Sequence, residues 1–236
     1  MAPGADGLAS VQHEVRLAAR ALARHGLVHA YGHCSRRLDG QRFLVCAAQP
    51  MGLIGVGEPG TIVPVEGELP DGVLGEVRIH QQIYRLRPDV QGVVRSMPRQ
   101  LMTLGSARRV PRPRHGFGAY FHTGIALWDD PQLVRNDASA TALAEHLGPL
   151  RALVMRGNGA IVAAESLVKA VVLTWYLEDA ARLELEVLAA GLEAESVVLG
   201  DAECRQRATD AGRIFERMWD YLTAGDAELE LGSEAR

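Results

Sequence analysis

The chain has 236 residues, enough for one large domain or two small ones, and 47% of them are hydrophobic, which is sufficient for a buried core. With 25 Lys and Arg against 29 Asp and Glu, the net charge is −4 and no long basic run appears, so nucleic acid is not expected as a partner. No apolar run approaches the roughly 20 residues that span a bilayer, and the opening residues lack a signal-peptide pattern, which favours a cytoplasmic protein without a membrane partner.

Helical spacing of apolar residues predicts a first amphipathic helix over residues 8–22, which Gly26 ends as a C′ residue. We then expect a strand, a loop over residues 31–35 and a second strand over residues 42–46. After a stretch rich in Gly and Pro, residues 61–65 form a further short strand.

The stretch from residue 75 to 98 predicts a helix followed by a strand. Apolar residues recur at i, i+4 and i+7 from Ile79, Pro88 ends the helix, and residues 92–96 form the strand. Glu76 falls on or beside the buried face of this helix. A carboxylate in that position needs a structural or functional reason.

A short helix is predicted over residues 100–104. Glycines and aromatic residues over 115–130 indicate a surface loop with weak strands. Asp137 is the expected N-cap of the next helix, which Gly148 stops.

Two apolar strands, residues 150–155 and 160–164, flank the dipeptide Asn158-Gly159, which predicts a hairpin. Asn158 fits such a turn without any further role, so turn chemistry and a functional role both stay open. Ser166 is then the expected N-cap of a long helix.

The long helix ends at Gly191, and a final helix places Phe215 and Trp219 on one face. Residues 1–7 and 223–236 are expected to be flexible tails of a single domain over residues 1–236. Short strands among about five helices predict an α/β domain whose sheet is mainly antiparallel or mixed.

Several motifs, in order along the chain, carry a family resemblance. They are Gly26-Leu27-Val28, Tyr31-Gly32-His33-Cys34-Ser35 with Arg37, Glu76 with His80 and the run from Tyr84 to Val90, Leu153 to Gly159, Ser166-Leu167, and Leu177-Glu178 with Ala180. Together they cover roughly residues 8 to 191 and resemble the class II aldolase/adducin family, nearest to its decarboxylase-like branch. The resemblance implies a three-layer α/β/α fold, a homotetramer with sites at subunit interfaces, and a small-molecule carboxylate substrate.

The family holds a divalent metal with three histidines, and the resemblance aligns those positions with Arg95, Met97 and Asn158. Arginine has no lone pair to give, and its fixed positive charge repels a metal ion. A thioether and an amide oxygen are poor substitutes for imidazole in a zinc site. We therefore expect no metal and no other cofactor.

Arg95 and Glu76 are the residues predicted to carry the chemistry. Arg95 replaces part of the metal's charge in this hypothesis, and Glu76 acts as the general acid or base. The alternative is a structural ion pair left in a decayed site, because buried charges need partners whether or not they catalyse.

Further site residues follow from the resemblance. His33 either contacts substrate or makes a core hydrogen bond, and His80 fits a satisfied core histidine. His115 and Tyr120, on the 115–130 loop, are candidates to supply an acid across an interface, although a solvated loop is equally compatible. The remaining catalytic candidate is Asn158, and the substrate-binding candidates are Tyr31, Ser35, Arg37, Met97 and His122.

Three functional hypotheses are compatible with the sequence. The first is a metal-independent lyase that decarboxylates a small oxo- or hydroxy-carboxylic acid or cleaves or forms its carbon-carbon bond. The second is a dehydratase, isomerase or cyclase of a specialised metabolite in the same pocket. The third is a non-catalytic binding or scaffold protein.

Overall fold

The computed structural model describes residues 5–234 of the chain. Those residues form eight α-helices, namely α1 (Ala5–Arg24), α2 (Arg78–Leu86), α3 (Arg99–Ser106), α4 (Asp137–Leu147), α5 (Leu167–Ala189), α6 (Asp201–Arg207), α7 (Ile214–Thr223) and α8 (Ala227–Glu234). They also form seven strands, namely β1 (His33–Arg37), β2 (Arg42–Val45), β3 (Thr61–Pro64), β4 (Gly92–Ser96), β5 (Ala126–Trp128), β6 (Ala152–Met155) and β7 (Gly159–Ala164). Over the same residues, no helix combines the length and apolar character needed to cross a membrane.

The strands form one sheet in the order β3-β2-β1-β4-β7-β6-β5. Neighbouring strands are antiparallel except β5 and β6, which run parallel. The predicted sheet, mainly antiparallel but mixed, is confirmed. The hairpin of β6 and β7 forms where the Asn-Gly dipeptide predicts it.

Successive side chains of a strand point to opposite faces of the sheet, and helices cover both faces. Cys34 of β1 faces α1, where its Sγ lies 3.7 Å from the carbonyl of Val15. Ser35, the next residue, faces α2 instead and hydrogen-bonds His80. Helices α5 and α7 pack with α1, and α4 packs with α2. The result is the three-layer α/β/α arrangement that the resemblance implies.

The start of β1 differs from the sequence prediction. The strand begins at His33, inside the predicted loop over residues 31–35, and residues 27–30, where a strand was expected, form bends and irregular structure instead. Gly32 explains the difference, because its φ of +147° is one that other residues rarely adopt. A Cβ at this position would also lie 2.7 Å from Cγ1 of Val28. The chain therefore turns at Gly32 and enters the sheet directly afterwards.

Two helix starts are also shifted. Glu76 lies in a short 3₁₀ turn, Gly75–Val77, and α2 begins after it at Arg78. The N-cap of α4 is Asn136, whose side chain accepts a hydrogen bond from the backbone N–H of Ser139, so the predicted cap at Asp137 is one residue late. Both shifts are within the usual uncertainty of helix ends.

Within the predicted tail over 223–236, residues 227–234 form α8. Asp226 and Glu228 flank the start of α8 and form ion pairs with arginines of α1: Arg20 bonds both carboxylates, at 2.7 and 2.6 Å, and Arg16 bonds Glu228 at 2.5 Å. Residues 5–7, the end of the other predicted tail, belong to α1. Residues 1–4 and 235–236 lie outside the described residues.

These ion pairs make the protein sensitive to acid. Burial would raise the pKa of both carboxyls. Hydrogen bonds and ion pairs with Arg16 and Arg20 nevertheless hold the pKa of Glu228 at about 2, and those with Arg20 and the backbone N–H of Glu228 hold the pKa of Asp226 below its usual range. A lowered folded-state pKa contributes stability that is present above the unfolded-state value, near 4, and is lost as the pH falls through the folded-state value. We expect the free energy of unfolding to fall as the pH drops from about 4 towards 2.

The variant Asp226→Asn isolates this effect, since it keeps an oxygen for the backbone N–H of Glu228 but removes the charge. We expect a loss of about 2 kcal/mol in the free energy of unfolding at pH 7, measured by urea denaturation. Asp220→Asn is the matched control, because that exposed carboxylate makes only a 3.9 Å contact with Arg213 and a change within about 0.5 kcal/mol is expected. Equal effects of the two variants would contradict the assignment.

Candidate active site

An open cleft of about 300 Å³ lies where the loops before β1, after β2 and before α2 meet. It is lined by Ala30, Tyr31, Gly32, His33, Ala48, Gln49, Pro50, Leu74, Gly75, Glu76 and Arg135. Tyr31 stands at its edge with 66% of its surface exposed. Glu76 and Arg135 are the charged residues of this lining.

Glu76, Arg95 and Asn158 form a closed triangle of polar contacts beside the cleft. Nη2 of Arg95 lies 3.1 Å from Oε2 of Glu76 and donates a hydrogen bond of 2.7 Å to Oδ1 of Asn158. Nδ2 of Asn158 donates to Oε1 of Glu76 at 3.1 Å. Three segments that are distant in sequence therefore meet at one carboxylate.

The backbone around each of these residues explains the convergence. Arg95 is the fourth residue of β4 and pairs directly with His33 of β1. Asn158 occupies the β6–β7 turn, and the following Gly159 has a φ of +87°. A Cβ on Gly159 would lie 2.0 Å from the carbonyl oxygen of Ser96, so only glycine lets the turn approach the end of β4. Asn158 is therefore both a turn residue and a hydrogen-bond partner of Arg95 and Glu76.

Arg95 is almost fully buried, with 1% of its surface exposed. Among the described residues, its Nε and Nη1 have no hydrogen-bond partner. Burial lowers the pKa of this guanidinium and the nearby Glu76 carboxylate raises it, but an arginine side chain stays protonated at any physiological pH. The site therefore contains a buried cation with three unused N–H bonds, one on Nε and two on Nη1.

A second polar group begins at His33. Its Nδ1 lies 2.8 Å from Nε2 of His80, and Nδ1 of His80 lies 2.6 Å from the hydroxyl of Ser35. The hydroxyls of Ser35 and Tyr84 are 2.9 Å apart. Burial, and then the positive charge of Arg95, lower the pKa of His80 to about 3. Burial also lowers the pKa of His33, with smaller contributions from His80 and Arg95, so both rings are neutral.

Several predicted site residues lie elsewhere. Ser35 is fully buried in the His80 contact and does not line the cleft. The guanidinium of Arg37 donates to the backbone carbonyls of Tyr84, Arg87 and Val90, so it ties α2 to the sheet. Met97 follows β4 and is half-buried, with its Cα close to Gly159.

The 115–130 loop is also more buried than predicted and does not reach the cleft of its own chain. Nε2 of His115 lies 2.8 Å from Asp179, and its Nδ1 accepts from the N–H of Gly118, so both nitrogens are used. The hydroxyl of Tyr120 donates to the carbonyl of Thr209. His122 does not line the cleft in the described part of the chain. A role for these residues across a subunit interface stays a prediction.

The structure adds two residues that sequence reasoning missed. Arg135 lies in the loop before α4 and brings an exposed guanidinium to the cleft. Tyr84 ends the histidine chain, where its hydroxyl also donates to the carbonyl of Ser35 at 3.0 Å. Tyr84 begins the family motif over residues 84–90, but that motif does not indicate its contact with Ser35, and Arg135 lies in no motif; both roles depend on long-range packing.

The donor set of the cleft does not fit a divalent metal. Within residues 5–234, no three His, Cys, Asp or Glu side chains converge on one point. Arg95 instead places a cation beside Glu76, where it would repel a metal ion. The amide of Asn158 is already engaged by both of its neighbours.

Comparisons with known proteins agree with the fold. The sequence profile of the family described as Class II Aldolase and Adducin N-terminal domain matches residues 13–185. The chain is 29% identical over 204 residues to a 3,4-dihydroxyphthalate decarboxylase of Terrabacter sp., covering 78% of this chain and 84% of the relative, and 29% identical over 200 residues to one of Arthrobacter keyseri, covering 78% and 81%.

Solved structures show the same architecture. An L-fuculose-1-phosphate aldolase from Thermus thermophilus superposes with a TM-score of 0.70 at 24% identity, covering 79% of this chain and 98% of that one. An aldolase II superfamily protein from Pseudomonas syringae superposes with a TM-score of 0.77 at 22% identity, covering 92% and 93%. At these identities the likeness concerns the fold.

Proposed function

The chain belongs to the class II aldolase and adducin family, and we propose that it is a metal-independent decarboxylase of a small hydroxy-carboxylic acid. The observation that supports this function is the triangle of Glu76, Arg95 and Asn158 beside an open cleft. The relatives named as decarboxylases of a dihydroxylated aromatic acid favour decarboxylation over aldol cleavage.

Arg95 supplies the positive charge that the reaction needs. When a carboxylate leaves as CO₂, its electron pair moves onto the remaining fragment and negative charge collects on the hydroxyl oxygen. The unused Nε–H and Nη1–H groups of Arg95 are donors suited to that oxygen. A cation fixed in a buried site stabilises such charge without reorganisation during the reaction.

Glu76 moves the proton in this scheme. The scheme is written for an aromatic hydroxy acid. The carboxylate of Glu76 takes the proton of the substrate hydroxyl and delivers it to the ring carbon that carries the leaving carboxylate, which gives a non-aromatic ketone. The carbon-carboxylate bond then breaks, and its electron pair restores the aromatic ring as a phenolate beside Arg95. A proton from solvent neutralises the phenolate, so the net change is the uptake of one proton and the release of CO₂.

The charges at the cleft mouth suit an anionic substrate. Glu76 is compensated by Arg95, which leaves the exposed Arg135 as the charge of the lining without an ion-pair partner among residues 5–234. An arginine that bound the departing carboxylate would stabilise the ground state and slow the release of neutral CO₂. Arg135 is therefore suited to an anionic group that stays on the substrate.

The test measures metal content and CO₂ release together. We expect purified protein to contain substoichiometric metal by elemental analysis and to release CO₂ from 3,4-dihydroxyphthalate in the presence of EDTA. The variant Arg95→His/Met97→His/Asn158→His restores the family's three ligands and is expected to take up a divalent metal. Stoichiometric metal in the natural protein, or turnover abolished by EDTA, would contradict metal independence. Release of an aldehyde instead of CO₂ would indicate aldol chemistry.

A further inference from the structure

The chain of contacts from His33 into the core determines which of its nitrogens carries the proton. The contacts run from His33 to His80, then to the hydroxyl of Ser35, then to the hydroxyl of Tyr84, and end on the carbonyl of Ser35. Each of these residues has at most 2% of its surface exposed. Water therefore does not supply alternative partners.

Only one assignment of protons makes every contact a hydrogen bond. A carbonyl oxygen can only accept, so the hydroxyl proton of Tyr84 is directed to the carbonyl of Ser35. The oxygen of Tyr84 must then accept from the Ser35 hydroxyl, and the Ser35 oxygen must accept from Nδ1–H of His80. Each neutral imidazole carries one proton. Nε2 of His80 is consequently an acceptor, and Nδ1–H of His33 donates to it.

This assignment leaves a bare lone pair on Nε2 of His33. That atom is buried and has no partner among the described residues. The ring lines the cleft, and it also lines an adjoining void of about 10 Å³ whose other walls are mostly apolar, including Val45, Val73 and Val77. A space of this size is at the lower limit for one water molecule, and Thr61 is the other residue of the lining with a hydroxyl or ring nitrogen in its side chain.

We propose that His33 is held in its Nδ1–H tautomer by His80, Ser35 and Tyr84, and that its Nε2 accepts a hydrogen bond from a substrate hydroxyl. The second part rests on the proposed function and narrows its substrate class. A hydroxyl offers the proton that this lone pair needs, whereas the oxygen of an oxo acid offers only another lone pair. The site therefore selects hydroxy acids over oxo acids. Ser35 and Tyr84 are positioning residues, since they act through His80.

The first test reads the tautomer directly in the free protein. Nitrogen NMR of histidine-labelled protein separates Nδ1–H from Nε2–H tautomers, and we expect His33 to be neutral with its proton on Nδ1 at pH 7. In Tyr84→Phe, the Ser35 hydroxyl loses its acceptor and can turn to donate to Nδ1 of His80. The chain then reverses, and His33 is expected to carry its proton on Nε2. The proposal would be overturned if His33 carried its proton on Nε2 in the wild-type protein, or if its tautomer were the same in Tyr84→Phe as in the wild type.

Control variants show whether a change in the His33 signals comes from the Tyr84 hydroxyl itself. Tyr84→Phe retains the ring that packs on Phe43 and under Arg37. Tyr221→Phe removes the hydroxyl of an exposed tyrosine that packs on His25 outside the cleft, and it should leave the His33 signals unchanged. If Tyr84→Phe does not fold, Ser35→Ala serves instead, because it removes the acceptor of His80 Nδ1–H and should abolish the single tautomer.

The second test measures binding without turnover. Calorimetry with 3,4-dihydroxybenzoate and benzoate is expected to show that wild-type protein prefers the hydroxylated ligand by about tenfold, the contribution of one hydrogen bond. The preference should fall in Tyr84→Phe, because Nε2 then carries a proton and cannot accept one from the hydroxyl, and it should persist in the control variant Tyr221→Phe. Equal binding of the two ligands by wild-type protein would overturn the hydroxyl assignment. The decarboxylase function and the His33 tautomer can each fail without the other. The tautomer and the binding preference do not require decarboxylation. Decarboxylation does not require this tautomer.

Discussion

Replacing Glu76 with Gln is expected to lower kcat by about 10²- to 10⁴-fold, the usual contribution of a positioned acid or base. The amide keeps the size of the side chain and can still contact Arg95 and Asn158, but it cannot accept the substrate's proton. Because the carboxylate is also the counter-ion of a buried guanidinium, a modest loss of thermal stability should accompany the loss of activity.

The measurement compares CO₂ release with substrate affinity in the same preparation. We expect KM to change little, since Glu76 acts on the proton in transit and contributes less to ground-state binding. Glu165→Gln is the matched control: its carboxylate pairs with Lys169 away from the cleft, and its kcat should match that of the natural protein. Activity within a few-fold of wild type in Glu76→Gln would favour the alternative, a structural ion pair retained in a decayed site.

Local signals in the sequence were sufficient for the elements that carry the site. Residues 92–96 were predicted as a strand because a short apolar run follows a helix-ending proline, and they form β4. The Asn-Gly dipeptide predicted the turn between β6 and β7, and Ser166 caps α5 through the N–H of Lys169. These features depend on neighbours within a few residues, which is the range that sequence patterns report.

The direction of Arg95 was beyond the sequence. A strand alternates its faces at every residue, so a shift of one position would have turned the guanidinium away from Glu76. The structure decides the question through pairing: Arg95 lies opposite His33, and that register places both on the face covered by α2. Register is set by the whole sheet, and no window of a few residues contains it.

The sequence also did not predict that Arg135 lines the cleft or that α8 forms, because both depend on contacts between distant segments. Arg135 reaches the cleft because α4 packs on α2, and the acidic residues around the start of α8 are ordered because arginines of α1 reach them. By composition alone, a small acidic segment at a chain end is typical of a frayed tail. Partners more than 200 residues away reverse that expectation.

Replacing Arg95 with Met is expected to lower kcat and kcat/KM together, by about 10²- to 10³-fold, the effect of removing one electrostatic stabiliser of a developing oxyanion. Methionine fills much of the same volume without charge, so the core around β4 should persist. Glu76 keeps its hydrogen bond from Asn158 and has 17% of its side chain exposed, so it can recover hydration when its counter-ion is lost.

Arg95→Lys separates charge from geometry. The ammonium restores a positive charge near Glu76. Its point-like donor cannot reproduce a planar guanidinium whose Nη2 contacts Glu76 and Asn158 while Nε and Nη1 keep three free N–H bonds. We expect kcat for Arg95→Lys to lie between those of Arg95→Met and the natural protein, measured as CO₂ release at saturating substrate. Equal activity in all three proteins would show that Arg95 does not stabilise the transition state. The same assay is repeated with added divalent metal. An equal increase in kcat for the natural protein and for Arg95→Met would show that the guanidinium of Arg95 does not take the place of the metal.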